Sequence, residues 1–554
     1  MKKFIFFLII FTLLYIRPAF SQTIVDEKSG RLLWNSDVNN TIQFSDENYG
    51  LIHEDNIILS ESVPYRAEEK SSFPEQFDAR SKGWITPVKN QKPFDLCWAE
   101  SVMSMAESNM IKKGMADAGI DLSEIFAHYF QWNRVPDPLG LTIGDENIWN
   151  AYESYPGYIR EWINSWGSGY RAVLLLSGWP GITTEDVAPY PSGDTDVTNY
   201  YLDPSLAWNS SFAKLQDAWW IPTEDTQAIK RLIMKYGSAV IAFYQNREQY
   251  LNEETGAYYS PDSRYSNHLV NVIGWDDNYP ACNFSSSPEH NGAWLVKNSF
   301  GTEWGNDGYF WLSYDDKTYS GDAFIFDFQP IESDVKMYQY DGSVNYNYLS
   351  DPNSNVFAAA NVFTAIDNER LISVGFVTPS SYYSYKIEIY RGVKDKPDSG
   401  ILFSHQNGEE LYAGYHTIML DKPVELTAGD RFSVIIEITA KTPGTAYIMT
   451  DRSESFTVKD ANDKEIIYQE FISASHPGES FYRAADGSWI DCWDAEPSRN
   501  LGNVRIMANT KFISYSSIKS TDTDEIITFS DAPLTLFRIE PSDPGFTVLD
   551  FPQR

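Results

Sequence analysis

The length, composition and charge of the chain exclude several classes of protein. It has 554 residues, which at about 150 residues per domain suggests three or four folded units. Charged residues make up 22% and apolar residues 42%, the balance of a folded protein rather than a disordered or collagenous one. The formal net charge of −34 at pH 7 opposes binding to nucleic-acid phosphates and to anionic membranes. The 17 Trp, 35 Tyr and 32 Phe favour large β-rich cores and aromatic-lined clefts.

The cysteines and histidines argue against a disulfide scaffold and against a metal enzyme. The three cysteines, Cys97, Cys282 and Cys492, allow at most one intramolecular disulfide. The sequence has no CxxC pair and no HExxH motif, and its seven histidines are scattered. We therefore predict no metal site and no cofactor.

The N-terminus has the features of a secretory signal peptide. Lys2 and Lys3 precede a mostly apolar run over residues 4–16, and a small-residue pattern follows around Ala19. The apolar run is shorter than the roughly 20 residues that a membrane-spanning helix needs. The sequence therefore predicts a signal peptide over residues 1–21 and a secreted or otherwise extracytoplasmic protein without a transmembrane anchor.

Residues 22–72 are polar and acidic and lack a helical period. This composition predicts an extended leader, similar to a propeptide, rather than a domain with its own core. We expect its removal near residues 70–73, just before or at Phe73.

The segment over residues 73–328 mixes helix and strand signals. Residues 98–115 predict a helix, because Val102, Met105, Ala106, Met110 and Ile111 form a stripe with a spacing of three or four residues. Further helices are predicted over 172–176 and 228–236, and buried strands over 240–244, 269–275 and 294–298.

After residue 328 the helical period disappears and strand alternation takes its place. Tyr385, Ile387 and Ile389 alternate with charged residues, and the run over 432–438 has the same pattern. Short strands separated by turns predict an all-β sandwich over residues 329–510. Residues 511–554 predict either extra strands or a loosely attached tail.

The strongest chemical signal surrounds Cys97, the residue before the start of the predicted helix over 98–115. A thiol nucleophile needs a lowered pKa, a base within reach and a donor for the developing oxyanion. A cysteine at a helix N-terminus gains thiolate stability from the helix dipole and from the unpaired N–H groups there. The side-chain amide of Gln91 is a candidate oxyanion donor beside the Cys97 backbone N–H.

The base and its partner have to come from distant segments. His268 begins an apolar strand pattern that would hold its imidazole rigidly, and Asn298 offers a carboxamide to orient that ring. Phe300 and Trp304 follow closely and are predicted to shield the hydrogen bond between His268 and Asn298 from water.

These three blocks resemble the papain-like cysteine peptidases, whose signature is a cysteine, a histidine and an asparagine far apart in sequence. The resemblance implies a nucleophilic Cys97, a base His268, an orienting Asn298 and an oxyanion donor Gln91. The separation from cysteine to histidine exceeds the roughly 130–150 residues usual there, which predicts an insertion around residues 136–169. Flanking pieces at 73–80, 122–124, 178–190 and 308–310 also resemble that family.

The second half resembles the lectin-like β-sandwich fused behind such peptidases in bacteria and archaea. Short segments at residues 338–341, 359–364, 373–376 and 413–418 carry this resemblance. It implies a substrate-binding or surface-binding role for the sandwich, with a glycan or a cell-surface ligand as its partner.

The sequence departs from the peptidase pattern beside the nucleophile. Phe94 stands where eukaryotic members have a disulfide cysteine, and Asp95 replaces a glycine. A carboxylate there is expected to raise the pKa of Cys97 and to favour basic residues near the scissile bond. Leu269 fills the place of a smaller residue and is expected to narrow the substrate pocket. Glu100 replaces an aromatic residue, and nothing in the sequence explains it.

The predicted fold class is α+β: a papain-like two-lobed peptidase, with a helical lobe and a β-barrel lobe, followed by an all-β sandwich. The predicted function is that of a secreted cysteine endopeptidase acting on protein or peptide substrates. Asp95, Trp98, Leu269 and Trp304 are the predicted substrate-binding residues. The alternative is a catalytically inert peptidase fold that serves as a surface or glycan-binding protein.

Overall fold

The computed structural model describes residues 73–513, apart from short gaps at 156–157, 193–196, 320, 442–443, 461 and 496–500. Outside that range it describes only two strand pairs: β1 (Ile24–Asp26) with β2 (Arg31–Leu33), and Phe537–Arg538 with Thr547–Val548. The predicted signal peptide, and most of the predicted leader and tail, therefore lie outside the described residues.

The first part of the chain combines a group of helices with an antiparallel sheet. Its helices are α1 (Cys97–Lys112), α2 (Glu124–Trp132), α3 (Gly169–Leu176), α4 (Leu206–Asn209), α5 (Thr226–Tyr236) and α6 (Arg247–Tyr250). Its strands are β3 (Gln76–Asp78), β4 (Glu146–Trp149), β5 (Tyr152–Tyr155), β6 (Tyr158–Arg160), β7 (Ala213–Pro222), β8 (Ala239–Phe243), β9 (Leu251–Asn252), β10 (Ala257–Tyr258), β11 (His268–Asp276), β12 (Ala293–Lys297), β13 (Tyr309–Ser313) and β14 (Asp322–Pro330).

Helix α1 is the central element of this part, and its predicted stripe is confirmed. Val102, Met105, Ala106 and Met110 are fully buried, Ile111 is half-buried, and α1 packs against both β11 and β14. The helix ends three residues earlier than the sequence predicts, because Gly114 adopts a positive φ of 72° that a helix cannot continue through.

The buried strands that position the site are also confirmed. Strand β11 pairs antiparallel with β8 on one side and with β12 on the other. His268 is the first residue of β11 and lies opposite Phe243, the last residue of β8. Asn298 directly follows β12. His268 and Asn298 therefore lie at the ends of two neighbouring strands of the sheet.

The second part is the all-β sandwich that the sequence predicts. Its strands are β15 (Val335–Tyr338), β16 (Tyr346–Ser350), β17 (Val356–Thr364), β18 (Glu369–Thr378), β19 (Tyr383–Arg391), β20 (Ile401–Glu410), β21 (Ala413–Leu426), β22 (Arg431–Ala440), β23 (Tyr447–Arg452), β24 (Glu454–Lys459), β25 (Glu465–Ile472), β26 (Ser480–Arg483), β27 (Trp489–Asp491), β28 (Leu501–Val504) and β29 (Ile506–Phe512), with one short helix, α7 (Cys492–Ala495).

Alternating side chains of the sandwich form its core. Tyr385, Ile387 and Ile389 on β19 are buried, and their charged neighbours are less so. One sheet runs in the order β20-β19-β22-β17-β26-β27, and β15-β29-β18-β21 lies opposite it. The predicted alternation therefore marks the inward faces correctly.

The two parts are joined by backbone hydrogen bonds rather than by a loose linker. Strand β21 pairs with β7, so strands of both parts form one 13-stranded sheet. Strand β14 runs through the predicted boundary at residue 328 and ends at Pro330. At a second junction, β25 of the sandwich pairs with β4 of the first part.

A buried ion pair lies at the second junction. The Arg505 guanidinium contacts Asp341 at 2.9 Å, and each side chain is only 1% exposed. Asp145, from the segment between α2 and β4, accepts a hydrogen bond from the backbone N–H of Ala474 in the sandwich at 2.6 Å. Within the residues described, no helix has both the length and the apolar character that crossing a membrane requires.

The β7–β21 pairing predicts a specific sensitivity at Gly414. This residue has a φ of 150°, and a Cβ there would lie 1.9 Å from the Ala218 carbonyl oxygen. Gly414→Ala should lower the free energy of unfolding by about 1–3 kcal/mol in urea titrations. Gly429→Ala is the matched control, because Gly429 has a φ of 87° and open space around it. Equal losses in the two variants would contradict the close approach.

Candidate active site

Cys97 lies where the N-terminus of α1 meets the start of β11. It is the first residue of α1, and Leu96 before it makes no side-chain cap. The backbone N–H of Leu269 donates to the Cys97 Sγ at 3.5 Å. The thiol is therefore beside the residue that follows His268.

The imidazole of His268 is oriented by Asn298. His268 Nε2 lies 2.8 Å from Asn298 Oδ1, and the backbone N–H of Ser299 donates to the same oxygen at 2.8 Å. Because Oδ1 accepts from Ser299, Nε2 is the nitrogen that carries the proton. Nδ1 is then the basic nitrogen of the neutral ring.

Aromatic side chains cover this hydrogen bond, as the sequence predicts. Phe300 stacks on the His268 ring, with centroids 4.6 Å apart and an interplanar angle of 12°. Trp304 contacts Phe300 edge-on at 6.0 Å, and Phe243 flanks the imidazole at 5.9 Å. The ring therefore has little freedom to rotate.

Gln91 is held at both ends of its side-chain amide. Its Nε2 donates to the Phe94 carbonyl at 3.1 Å, and its Oε1 accepts from Ser299 Oγ at 2.7 Å. The Tyr190 hydroxyl donates to the Gln91 carbonyl at 2.5 Å. Gln91 is thus tied to the loop before Cys97 and to the residue after Asn298.

Burial dominates the electrostatics of the cysteine and the histidine. Both side chains are fully buried. Burial raises the pKa of the Cys97 thiol, and the charges of Asp95 and Glu100 raise it further, against the Leu269 N–H. Burial lowers the pKa of His268 to about 4, against its hydrogen bond with Asn298. Burial therefore disfavours the charged form of each side chain, the thiolate of Cys97 and the imidazolium of His268.

The predicted substrate-binding residues differ in their surroundings. Trp98 is fully buried, and a Cβ on Gly167 would lie 2.7 Å from its ring, so Trp98 packs in the interior against Gly167. Leu269 is 1% exposed and pairs with Ala242 of β8. Trp304 is 6% exposed and packs on aromatic neighbours.

Asp95 is paired with a residue that the sequence does not single out. Arg160 Nη1 donates to Asp95 Oδ2 at 3.1 Å. Burial raises the pKa of Asp95, and the charge of Arg160 opposes that shift. This pairing weakens the effect on Cys97 and on substrate that we expect of an isolated carboxylate. Arg160 belongs to the predicted insertion, where no motif pointed to it.

A buried cluster of charges lies behind the site and was also missed. Lys89 contacts Glu107 at 3.0 Å and Glu124 at 2.7 Å. Burial raises the pKa of Glu124 to about 7, against the charge of Lys89. Burial raises the pKa of Glu100 well above its usual range, and the charge of Glu124 raises it further. Lys297, directly before Asn298, donates to Thr86 at 3.0 Å. Glu100 therefore belongs to a charge cluster rather than to the cleft.

Within the ranges that the structure describes, no group of three or more His, Cys, Asp or Glu side chains is arranged to hold a metal ion. Cys282 is exposed, and Cys492 is buried in the sandwich, where burial raises its pKa. Neither cysteine has a histidine partner comparable to that of Cys97 among these residues.

Comparison with known proteins identifies both parts. Residues 73–125 and 164–323 match the family model of the papain family cysteine protease, and residues 337–510 match that of the lectin-like domain. The gap in the first match, residues 126–163, overlaps the predicted insertion.

Among curated proteins, human cathepsin L2 is 27% identical over 253 residues, which cover 45% of this chain and 64% of the cathepsin. Mouse cathepsin K is 25% identical over 256 residues, which cover 45% of this chain and 63% of that protein. The chain thus spans somewhat under two thirds of the length of these relatives.

Among solved structures, the cysteine protease and lectin-like domains of Cwp84, a surface layer associated protein of Clostridium difficile, superpose with a TM-score of 0.64 at 26% identity, covering 84% of this chain and 92% of that one. A second Cwp84 structure, obtained after propeptide cleavage, gives 0.62 at 26% identity, covering 79% and 99%. The chain therefore combines a papain-family cysteine peptidase domain with a C-terminal lectin-like domain.

Proposed function

We propose that the protein is an exported cysteine endopeptidase in which Cys97 is the nucleophile. The observation that carries the proposal is the meeting of Cys97, at the N-terminus of α1, with the start of β11, where Asn298 orients the ring of His268. A thiol beside an imidazole whose second nitrogen is hydrogen-bonded to a carboxamide is the arrangement that activates a cysteine for acyl transfer.

The proposed reaction has two halves. The Cys97 proton passes to His268 Nδ1 as Sγ attacks the peptide carbonyl carbon. The Cys97 backbone N–H and the Gln91 amide stabilise the oxyanion, and the imidazolium then protonates the leaving amine. Water, deprotonated by His268, attacks the thioester, and the proton returns to Sγ as the acid product leaves.

The resting state favours proton transfer during attack over a preformed ion pair. Burial of both side chains disfavours a separated thiolate and imidazolium. The two charges therefore form when the substrate carbonyl and the oxyanion donors are in place to receive the negative charge.

We expect Cys97→Ala to abolish peptide hydrolysis, because the alanine cannot form an acyl-enzyme, while leaving the fold intact. Activity on a casein or fluorogenic peptide substrate is the measurement, with circular dichroism to check the fold. The control is Cys282→Ala, because Cys282 is an exposed free cysteine that the proposed reaction does not use. Activity of Cys97→Ala near that of the unmodified protein would remove the assignment and favour the inert, surface-binding alternative.

The pH dependence follows from His268. The value of kcat/KM should fall below about pH 4, where the imidazole takes up the proton that its role as a base requires it to lack. Asn298→Ala removes a hydrogen bond that raises the pKa of His268, so its acid limb should move to still lower pH. The loss of ring orientation should lower kcat about 10²-fold. An acid limb that stays in place, or moves up, would contradict the assigned hydrogen bond.

We also propose export and removal of the leader. The support is the basic and apolar N-terminus over residues 1–16 and the start of the family match at residue 73. The lectin-like domain is proposed to bind substrate or a surface glycan, which brings the peptidase to its site of action.

N-terminal sequencing of active protein should give a chain beginning between residues 70 and 73. The physical reason is that the peptidase core begins there: Gln76–Asp78 pairs with β11. Active protein that still begins at residue 22 would contradict leader removal and leave the catalytic assignment untouched.

A further inference from the structure

Hydrogen bonds between the loop before the nucleophile and the segment over residues 160–164 form a polar clamp. The backbone N–H of Asp95 donates to Asn164 Oδ1 at 3.2 Å. Arg160 Nη1 donates to Asp95 Oδ2 and to the Asn164 carbonyl, both at 3.1 Å. The Arg160 guanidinium also lies 4.7 Å from the ring centroid of Trp166. Arg160 therefore contacts both Asp95 and Asn164, and Asp95 lies two residues before Cys97.

The lectin-like domain contacts Arg160 indirectly, through Trp149 of β4. The indole N–H of Trp149 donates to the Arg160 carbonyl at 3.2 Å. The Trp149 ring packs edge-on against Tyr468 of β25 at 5.4 Å, and the backbone N–H of Asn150 donates to the Tyr468 carbonyl at 2.9 Å. Tyr468 is 1% exposed. A continuous set of contacts thus runs from Tyr468 through Trp149 and Arg160 to Asp95.

The clamp also controls charge beside the thiol. The ionisable groups whose charges act on Cys97 are Asp95 on its own loop and Glu100 on α1, and both charges disfavour the thiolate. Arg160 is the cation hydrogen-bonded to Asp95, with their side chains 15% and 25% exposed, so the pair is only partly screened by water.

We propose that Arg160 is a positioning residue of this peptidase. Its side chain fixes the nucleophile loop and offsets the charge of Asp95, and the β24–β25 hairpin of the lectin-like domain holds it in place. The inference rests on the proposed function for its effect on turnover. It makes the lectin-like domain a structural part of the active site as well as a binding module.

Four variants test the clamp: Arg160→Met, which removes the charge and the hydrogen bonds at similar length, Arg160→Lys, Asp95→Asn, and the Arg160→Met/Asp95→Asn double variant. The readouts are the pH profile of Cys97 alkylation by iodoacetamide, read by peptide mapping, and kcat and KM on a fluorogenic peptide. Alkylation requires a thiolate that the reagent can reach but no peptide hydrolysis, so it is independent of peptidase activity.

Arg160→Met should move the alkylation profile up by about 0.5–1 pH unit, because Asp95 is then an unopposed carboxylate when the thiol titrates. It should lower kcat about tenfold with a smaller change in KM, as loss of orientation does. Arg160→Lys should retain the alkylation profile of the unmodified protein but have a lower kcat. The double variant should bring the alkylation profile back towards that of the unmodified protein.

An unchanged alkylation profile in Arg160→Met, or a double variant that stays shifted, would overturn the inference. Shifted alkylation with no hydrolysis by any form, the unmodified protein included, would overturn the proposed function and leave the clamp standing.

The link to the lectin-like domain is tested by Tyr468→Ala, which should shift alkylation in the same direction as Arg160→Met. Tyr482→Ala is the matched control, since Tyr482 is equally buried in the same domain but packs against Phe357. If Tyr468→Ala does not fold, Asn150→Ala serves instead, because its exposed amide donates to Ile467 of β25 at 3.1 Å. Equal behaviour of the test and control variants would overturn the role of the hairpin.

Discussion

The contact between the N-terminus of α1 and the first residues of β11 is the constraint on which the whole site depends. Cys97 and His268 are distant in the chain, and neither segment creates a thiol–imidazole pair alone. Pairing of β11 with β8 and β12, and packing of α1 against β11, bring the Leu269 N–H to 3.5 Å from the Cys97 Sγ. A register slip of one residue in β11 would turn His268 to the opposite face of the sheet.

Burial then determines the chemistry of that contact. In a buried region, a neutral thiol and a neutral imidazole have a lower free energy than a separated ion pair. Buried polar groups near them carry a free-energy cost unless they are hydrogen-bonded. Asn298 Nδ2 has no hydrogen-bond partner among the described residues, but the hydrogen bonds through Asn298 Oδ1, Ser299 and Gln91 satisfy part of this requirement. Lys89 does so for the carboxylates behind them. The fixed dipoles of these groups are in place before any charge develops, which is the condition for electrostatic stabilisation without reorganisation.

The sequence predicts those parts of the site whose chemistry is local. A cysteine at a helix start, a histidine opening an apolar strand and an asparagine before aromatic residues can each be recognised from a few neighbours, so Cys97, His268 and Asn298 could be predicted as candidates. Arg160 and Tyr468 were not, because their roles arise only when the insertion meets the nucleophile loop and the sandwich. The same holds for Glu100, whose partners come from separate segments. The β7–β21 pairing was likewise invisible, since strand alternation fixes faces and not partners.

The way in which the two domains are joined changes what the second one can do. A module on a flexible linker brings an enzyme near its substrate but leaves its catalytic geometry unchanged. Here one sheet passes from β14 through β7 into β21, the main apolar core extends from α1 to Met507, and β25 adds a strand to β4. Close-packed interiors transmit displacement rather than absorbing it. The β24–β25 hairpin is thus connected through Trp149, and through the hydrogen bond of Trp149 to Arg160, to the loop that carries the thiol.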